Sequence, residues 1–476
     1  MEVDLRRLSA SALGSSCTLP TTQDQRTLIG PYKGHYERGV DTPLDLQDVE
    51  LLAIGAGPSN LALAVAVEEL APPEFANKTL IIEQHENVAW QRGMLLPWTQ
   101  SQVSFLKDLV TLRNPRSKFS FVNYLHSTGK LNDFINMAHF LPFRIEISNY
   151  LSWVAQSLSS VRIEYGCRCE AIEPNRSNGS VSSWLVHLSG GRTITARDVV
   201  IGIGREPHIP LALSDLPRER LIHSSEYSVR VAQLDAQAEH RIVVIGAAQS
   251  AAEMLWETHQ RMPQSQCTMV MRSVGLNYYQ TSKFINELYF PTFTDDFFAA
   301  PPETRQQVLR EMRYTNYAGV TPDMLETLFR QVYVEKLTGN QRLHMVTMVD
   351  VKDARMDGPE VVLTLADRMT GLVDELRCDL VMLGTGFERK APALVRDMAA
   401  AVGVEVPAVT RAYQMITPSS VQAGCYLQGT NEDSHGIADS LMSVLAVRAG
   451  EIVTDLLAHR SSPPSLATFA TPAPAA

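Results

Sequence analysis

Apolar residues in this chain gather into short unbroken runs that stop on small residues. The first, Val49-Glu50-Leu51-Leu52-Ala53-Ile54, leads straight into Gly55-Ala56-Gly57-Pro58-Ser59-Asn60. Leu51 to Ile54 are apolar without alternation, which predicts a strand buried on both faces, as in a parallel sheet. The Ala- and Leu-rich stretch 61–70 predicts a helix whose first amides can face an anion. A second run, Thr79-Leu80-Ile81-Ile82, ends at Glu83. Strand, glycine turn, helix, strand and terminal acid together predict a dinucleotide site. Gly55 would make the tight turn, and Gly57 would leave room for a pyrophosphate. Pro58, Ser59 and Asn60, the last in place of the usual third glycine, complete the turn as candidate cofactor ligands, and Glu83 would accept hydrogen bonds from a ribose. An acid at that position disfavours a 2′-phosphate, so FAD or NAD suits this turn better than NADP.

The pattern recurs in Arg241-Ile242-Val243-Val244-Ile245-Gly246-Ala247-Ala248-Gln249-Ser250. Alanines replace two glycines, yet small residues still allow a helix to pack closely on a strand. The next run, Cys267 to Met271, ends at Arg272. A base there would meet an adenosine 2′-phosphate, which favours NADPH, although a solvated surface arginine is the plain alternative. Gly246, Gln249, Ser250 and Arg272 are thus candidate nucleotide ligands. Two further runs, 198–204 and 379–387, pass from an acid through apolar residues to glycines. Both read as strand ends beside the first nucleotide, so the chain would enter, leave and re-enter that domain.

The expected architecture is therefore α/β, with two Rossmann-like dinucleotide-binding domains, the first discontinuous and the second inserted into it together with a substrate-binding segment. The expected boundaries are an N-terminal extension 1–45, a first part 46–205, an inserted domain 206–378 with a substrate segment near 275–325, a second part 379–458, and a disordered Pro/Ala/Ser-rich tail 459–476.

The 476 residues allow two or three domains, and 45% hydrophobic with 20% charged residues is ordinary for a globular chain. A net charge of −10 argues against nucleic acid or a membrane surface as partner. The six cysteines form no C-x-x-C pair and no cluster with metal-ligand spacing, so no metal is expected and a reduced, cytoplasmic setting is the simplest reading.

Longer motifs carry a resemblance. Trp90-Gln-Arg-Gly-Met94-Leu-Leu-Pro, Gln102-Val-Ser-Phe-Leu-Lys107-Asp-Leu-Val-Thr-Leu-Arg-Asn-Pro, Phe284-Ile-Asn286-Glu-Leu-Tyr, Tyr314-Thr-Asn316-Tyr317 and Asn431-Glu-Asp-Ser-His435-Gly436-Ile-Ala-Asp-Ser440-Leu441 are similar to the microbial L-ornithine N5-monooxygenases. These are siderophore-associated N-hydroxylating flavin monooxygenases. The resemblance implies FAD, NADPH and dioxygen, with the side-chain amine of L-ornithine attacking the distal oxygen of a C4a-hydroperoxyflavin. The product, N5-hydroxyornithine, would feed a hydroxamate iron chelator. It also implies a homotetramer. By the same resemblance Lys107 and Asn286 would hold the substrate carboxylate, Asn316 would meet the amine, and Gln102 would lie between flavin and nicotinamide. Trp90, Met94 and the stretch His435, Ser440 and Leu441 would line the flavin.

On their own residues these positions have plainer readings. Lys107 lies in an apolar run and could snorkel to solvent. Asn286 and Asn316 could be turn or capping residues. The aromatics Tyr278, Tyr279, Phe284, Tyr289, Phe290 and Phe293 read as core. The chain also departs from the family wording. Glu226 follows His223-Ser224-Ser225 where a cation is usual, and an acid there would repel a 2′-phosphate. Ala438 replaces a serine whose hydroxyl would help hold the amine. N-hydroxylation of L-lysine or a diamine, and a non-enzymatic dinucleotide-binding sensor, are the alternatives.

Overall fold

A computed structural model describes residues 49–461 apart from Thr281 and Ala318. The extension 1–45 and most of the tail lie outside the described residues. The tail's expected start does not, because the helix Leu445–Ser461 runs through it.

Three strands, β1 (Val49–Ile54), β2 (Thr79–Ile82) and β3 (Arg162–Glu164), pair in parallel in the order β3-β2-β1. An antiparallel hairpin, β4 (Cys169–Ser177) and β5 (Ser180–Leu188), joins them through β6 (Thr193–Ile201). The first half of β6 pairs with β5. Its second half runs parallel between β1 and the far later β15 (Cys425–Leu427). The helix Pro58–Leu70 is buried continuously from Asn60 to Val67, because the sheet covers one side and the helix Leu445–Ser461 the other. That sandwich explains why its sequence is apolar all round. The opposite sheet face is covered by Ala393–Ala401, through Val395, Met398 and Ala399.

The second sheet is all parallel. Its strands are β7 (Leu221–His223), β8 (Arg241–Ile245), β9 (Gln266–Val270), β10 (Leu343–Val346) and β14 (Leu380–Leu383), in the order β10-β9-β8-β14-β7. A small antiparallel sheet, β11 (Val349–Asp357), β12 (Glu360–Asp367) and β13 (Val373–Cys378), packs on one face. The helices Gln249–Arg261 and Pro322–Thr338 pack on the other.

This topology corrects one boundary. The run 379–387 was expected beside the first nucleotide, but β14 pairs with β7 and β8 in the second sheet. The return to the first domain therefore follows Leu383, and the strand that completes the first sheet is β15. An acid followed by four apolar residues suits either sheet equally, and only pairing decides.

Residues between Asn277 and Val320 leave the second domain as one excursion. They pack Tyr289 and Met312 against Ile437, Ala438 and Val444 of the first. The two domains also interlock directly. Met94 and Leu96 sit in the second domain's core, Trp98 Nε1 donates to Glu257 Oε2 at 2.7 Å, and Gly93 lies so close to Ser224 and Ser225 that a Cβ would stand 2.2 Å from backbone.

Candidate functional site

Both glycine turns sit at the carboxyl ends of parallel strands where the strand order reverses, the usual ligand position in open α/β sheets. Gly55 has φ +91°, and a Cβ there would lie 2.9 Å from the Gly202 carbonyl at the end of β6. Gly246 has φ +146°, and its Cβ would lie 2.5 Å from the Gly384 carbonyl beyond β14. Each turn therefore needs glycine for conformation and for space. Gly57 caps the helix Pro58–Leu70, with Pro58 as its first residue.

One cavity of about 2740 Å³ joins the two turns and the Asn277–Val320 excursion. Single-ligand sites run roughly 300–1,000 Å³, so this volume accommodates several molecules together. Of the expected residues, Gly55, Gly57, Pro58, Ser59, Glu83, Trp90 and Met94 line it on the first-domain side. Gln102, Lys107, Asn286, Asn316, Ser440 and Leu441 line its centre, and Gly246, Gln249, Ser250 and Arg272 line the second-domain side. The Glu83 carboxylate accepts from the Ala56 amide at 2.7 Å and from the His85 amide at 3.0 Å, which fixes it across the mouth of the turn.

Two expected cofactor ligands do not face the cavity. Asn60 is fully buried behind the turn. Its Nδ2 donates to the carbonyls of Ile54 (2.9 Å) and Gly55 (2.8 Å), and its Oδ1 accepts from Gln428. It braces the turn from beneath. His435 is also buried, stacked on Tyr413 at 4.1 Å, with Nε2 3.1 Å from the Arg411 carbonyl. Burial pushes its imidazole down to about 4, so it is neutral in the core. Both departures from the family wording lose their force. Glu226 lies outside the cavity wall, paired with Arg218 (2.7 Å) and Arg230 (3.1 Å). Ala438 is packed in the core beside Tyr289, and the hydroxyl that reaches the cavity is Ser440.

The cavity's polar groups are arranged for charged ligands. Lys107 is half-buried, its Nζ 3.2 Å from Ser443 Oγ and 4.5 Å above the Phe290 ring. No carboxylate pairs with it among the described residues, and burial lowers its pKa from the ordinary lysine value. Gln102 Nε2 is buried with no hydrogen-bond partner among the described residues, an orphaned donor of the kind a ligand acceptor satisfies. Arg272 is exposed at the far end, beyond the strand Gln266–Val270, and Lys352 and Arg368 nearby on the wall are both ion-paired to Asp350, at 3.5 and 3.6 Å. Arg272 is thus the cation on this side that a phosphate could meet.

Several residues of the wall escaped sequence reasoning. Arg144 is 6% exposed and forms a two-pronged ion pair with Glu253, both contacts 2.7 Å. Tyr317 donates to the buried Glu432 carboxylate, lies 3.3 Å from Ser440 Oγ, and has its hydroxyl pushed up to about 12 by burial and by Glu432. Arg205 holds the same carboxylate at 3.2 Å. Tyr289 is core, as expected, and also borders the cavity; Tyr279 and Phe290 were expected as core but border the cavity, and Phe284 is 85% exposed. A neighbouring asparagine was the one available signal for Tyr317. Nothing in the sequence pairs Arg144 with Glu253.

A family profile described as L-lysine 6-monooxygenase/L-ornithine 5-monooxygenase matches residues 47–389. The L-ornithine N(5)-oxygenase of Arthrobotrys oligospora is 38% identical over 435 residues, covering 87% of this chain and 89% of its own. Among solved structures, the ornithine hydroxylase of Pseudomonas aeruginosa is 35% identical with a TM-score of 0.81, covering 86% of this chain and 99% of that one. The Kutzneria sp. 744 ornithine N-hydroxylase, solved with reduced FAD, NADP+ and L-ornithine, is 33% identical with a TM-score of 0.81, covering 87% and 99%.

Proposed function

Because this chain belongs to the L-lysine 6-monooxygenase/L-ornithine 5-monooxygenase family, we propose that it is an FAD- and NADPH-dependent monooxygenase that hydroxylates the side-chain amine of L-ornithine. The product, N5-hydroxyornithine, serves hydroxamate siderophore biosynthesis. The observation that carries the substrate choice is the half-buried Lys107 ammonium, without a carboxylate partner among the described residues and sharing one cavity with both glycine turns.

The first turn, with Glu83, Trp90 and Met94, holds FAD. The second, with Gln249, Ser250 and Arg272, holds NADPH. When bound, FAD activates dioxygen with electrons taken from NADPH. The protein's own residues bind, orient and exclude water. Lys107 and Asn286 take the substrate carboxylate through charge-assisted hydrogen bonds. Asn316 and Ser440 orient the amine. Gln102 spends its free amide donor on a ligand acceptor between flavin and nicotinamide.

The nucleophile is the neutral amine, because an ammonium has no lone pair. A lysine-like amine has a pKa of about 10.4 in water. Burial in the cavity disfavours the charged form and so favours the reactive one. A diamine would leave Lys107 uncompensated, which is why an amino acid is preferred.

The five cysteines among the described residues are free, in keeping with a cytoplasmic enzyme. The family resemblance supports a homotetramer, which light scattering tests. The deciding assay supplies ornithine, lysine, cadaverine and putrescine in turn, measuring hydroxylamine product and hydrogen peroxide together. Coupled product from ornithine is expected. Oxidation of NADPH to peroxide alone with every amine would refute the assignment.

A further inference from the structure

The excursion that carries Asn286 and Asn316 hangs from a narrow neck. Val320 N–H donates to the Asn277 carbonyl at 2.9 Å, and Tyr279 N–H donates to the Val320 carbonyl at 3.0 Å. Gly319 lets these strands close, since a Cβ there would stand 2.6 Å from Tyr279 Cα. Immediately beyond the neck, Thr321 caps the helix Pro322–Thr338. Its N–H donates to Gln249 Oε1 at 2.8 Å.

Gln249 opens the helix that follows the second glycine turn and lines the cavity. Its Nε2 donates to Glu253 Oε1 at 2.9 Å. Glu253 is 1% exposed and is gripped by Arg144 from the first domain. A carboxylate accepts only and a backbone N–H donates only, so the Gln249 amide has one orientation that satisfies both neighbours. A single side chain therefore joins the nicotinamide turn, the interdomain ion pair and the base of the substrate-bearing segment.

We propose that Gln249 is a positioning residue that couples the two ligand sites, so that NADP(H) and the amino-acid substrate bind cooperatively. The inference rests on the functional reading above, that this cavity takes both. Whichever ligand arrives first orders the turn or the neck, and the second then binds to a chain already ordered. The coupling is reciprocal by linkage. A plain ligand role for Gln249 differs: it would weaken the nucleotide alone and leave the coupling intact.

The test uses the full-length, FAD-loaded protein and titrates L-ornithine by calorimetry with and without saturating NADP+. The parent should bind ornithine about fivefold or more tightly when NADP+ is present, in the usual range of coupling between sites. Thr321→Pro deletes the one N–H that Gln249 reads, at a residue whose φ of −63° proline already adopts. Gln249→Met removes both hydrogen bonds at similar length, and covers the case in which the proline variant fails to fold. In either variant the ratio should fall to within about twofold of one; in Thr321→Pro each ligand alone still binds, whereas Gln249→Met, which alters the nucleotide turn itself, is read by the ratio only. A parent-like ratio in the folded variants, or independent binding in the parent, overturns the coupling alone. A parent that binds no ornithine at all overturns the functional reading and the coupling with it.

Discussion

Replacing Lys107 by methionine separates the two things a half-buried lysine can be. Methionine keeps the length and the apolar stem but removes the ammonium. If that ammonium receives the substrate carboxylate, the loss is one charge-assisted hydrogen bond, worth about 1.5–3 kcal/mol. At about 1.4 kcal/mol per decade, the ornithine KM should rise about 10- to 100-fold. FAD content should be unchanged, because Lys107 stands apart from the first glycine turn. NADPH oxidation should persist, with hydrogen peroxide replacing hydroxylated product. Stability supplies the second half of the argument. The side chain has no carboxylate to leave stranded, and burial already disfavours its charge. Among the described residues the losses are the Ser443 hydrogen bond and the Phe290 contact, each worth about 0.5–1 kcal/mol. Relief of desolvation offsets them, so Tm should stay within about 3 °C of the parent. Steady-state kinetics with paired peroxide and product assays, and a thermal melt, measure all of this. An unchanged ornithine KM with full coupling would refute the reasoning, as would a large fall in Tm without a kinetic effect.

Arg272→Ala should raise the KM for NADPH about tenfold or more and leave NADH nearly unaffected, since only the former carries a 2′-phosphate; equal loss for both would remove the phosphate role. Ser440→Ala should raise the ornithine KM about three- to tenfold, one neutral hydrogen bond. Ala438→Ser should bring no gain in ornithine binding and should lower Tm, because it buries a hydroxyl in the apolar cluster around Tyr289. The pH profile should show two opposed trends. Burial lowers the Lys107 pKa, so its cation is lost on the alkaline side earlier than the ordinary lysine value of about 10.4. The ornithine KM should therefore climb at alkaline pH while kcat rises with the neutral amine, and the climb in KM should vanish in Lys107→Met.

Much of this was readable from local pattern, because the two glycine turns and their strands are contiguous in sequence. Gly55 and Gly246 were recognisable because their conformation admits little else. The errors share a cause. Asn60 and His435 lie within motifs but point away from the ligand space, and a motif does not reveal which side of a turn a side chain takes. Leu380–Leu383 was given to the wrong sheet because a buried parallel strand has the same composition in either. Glu226 seemed to oppose a phosphate only because its partners Arg218 and Arg230 could not be foreseen. The Arg144–Glu253 pair bridges 109 positions, and no periodicity encodes that.

The order in which the strands of the first sheet are laid down bears on synthesis. β6 has β1 on one side, and its last residues wait for Cys425–Leu427 on the other. Arg448 ties Asp439 and Gln428 to Ser59, and Arg460 reaches both Glu50 and Asp198. A nascent chain that has emerged only through β14 carries all five strands of the second sheet but lacks the strand and helix that complete the first. Until the helix Leu445–Ser461 has been added, the apolar flank of Pro58–Leu70 that it covers has no partner within the chain's described residues.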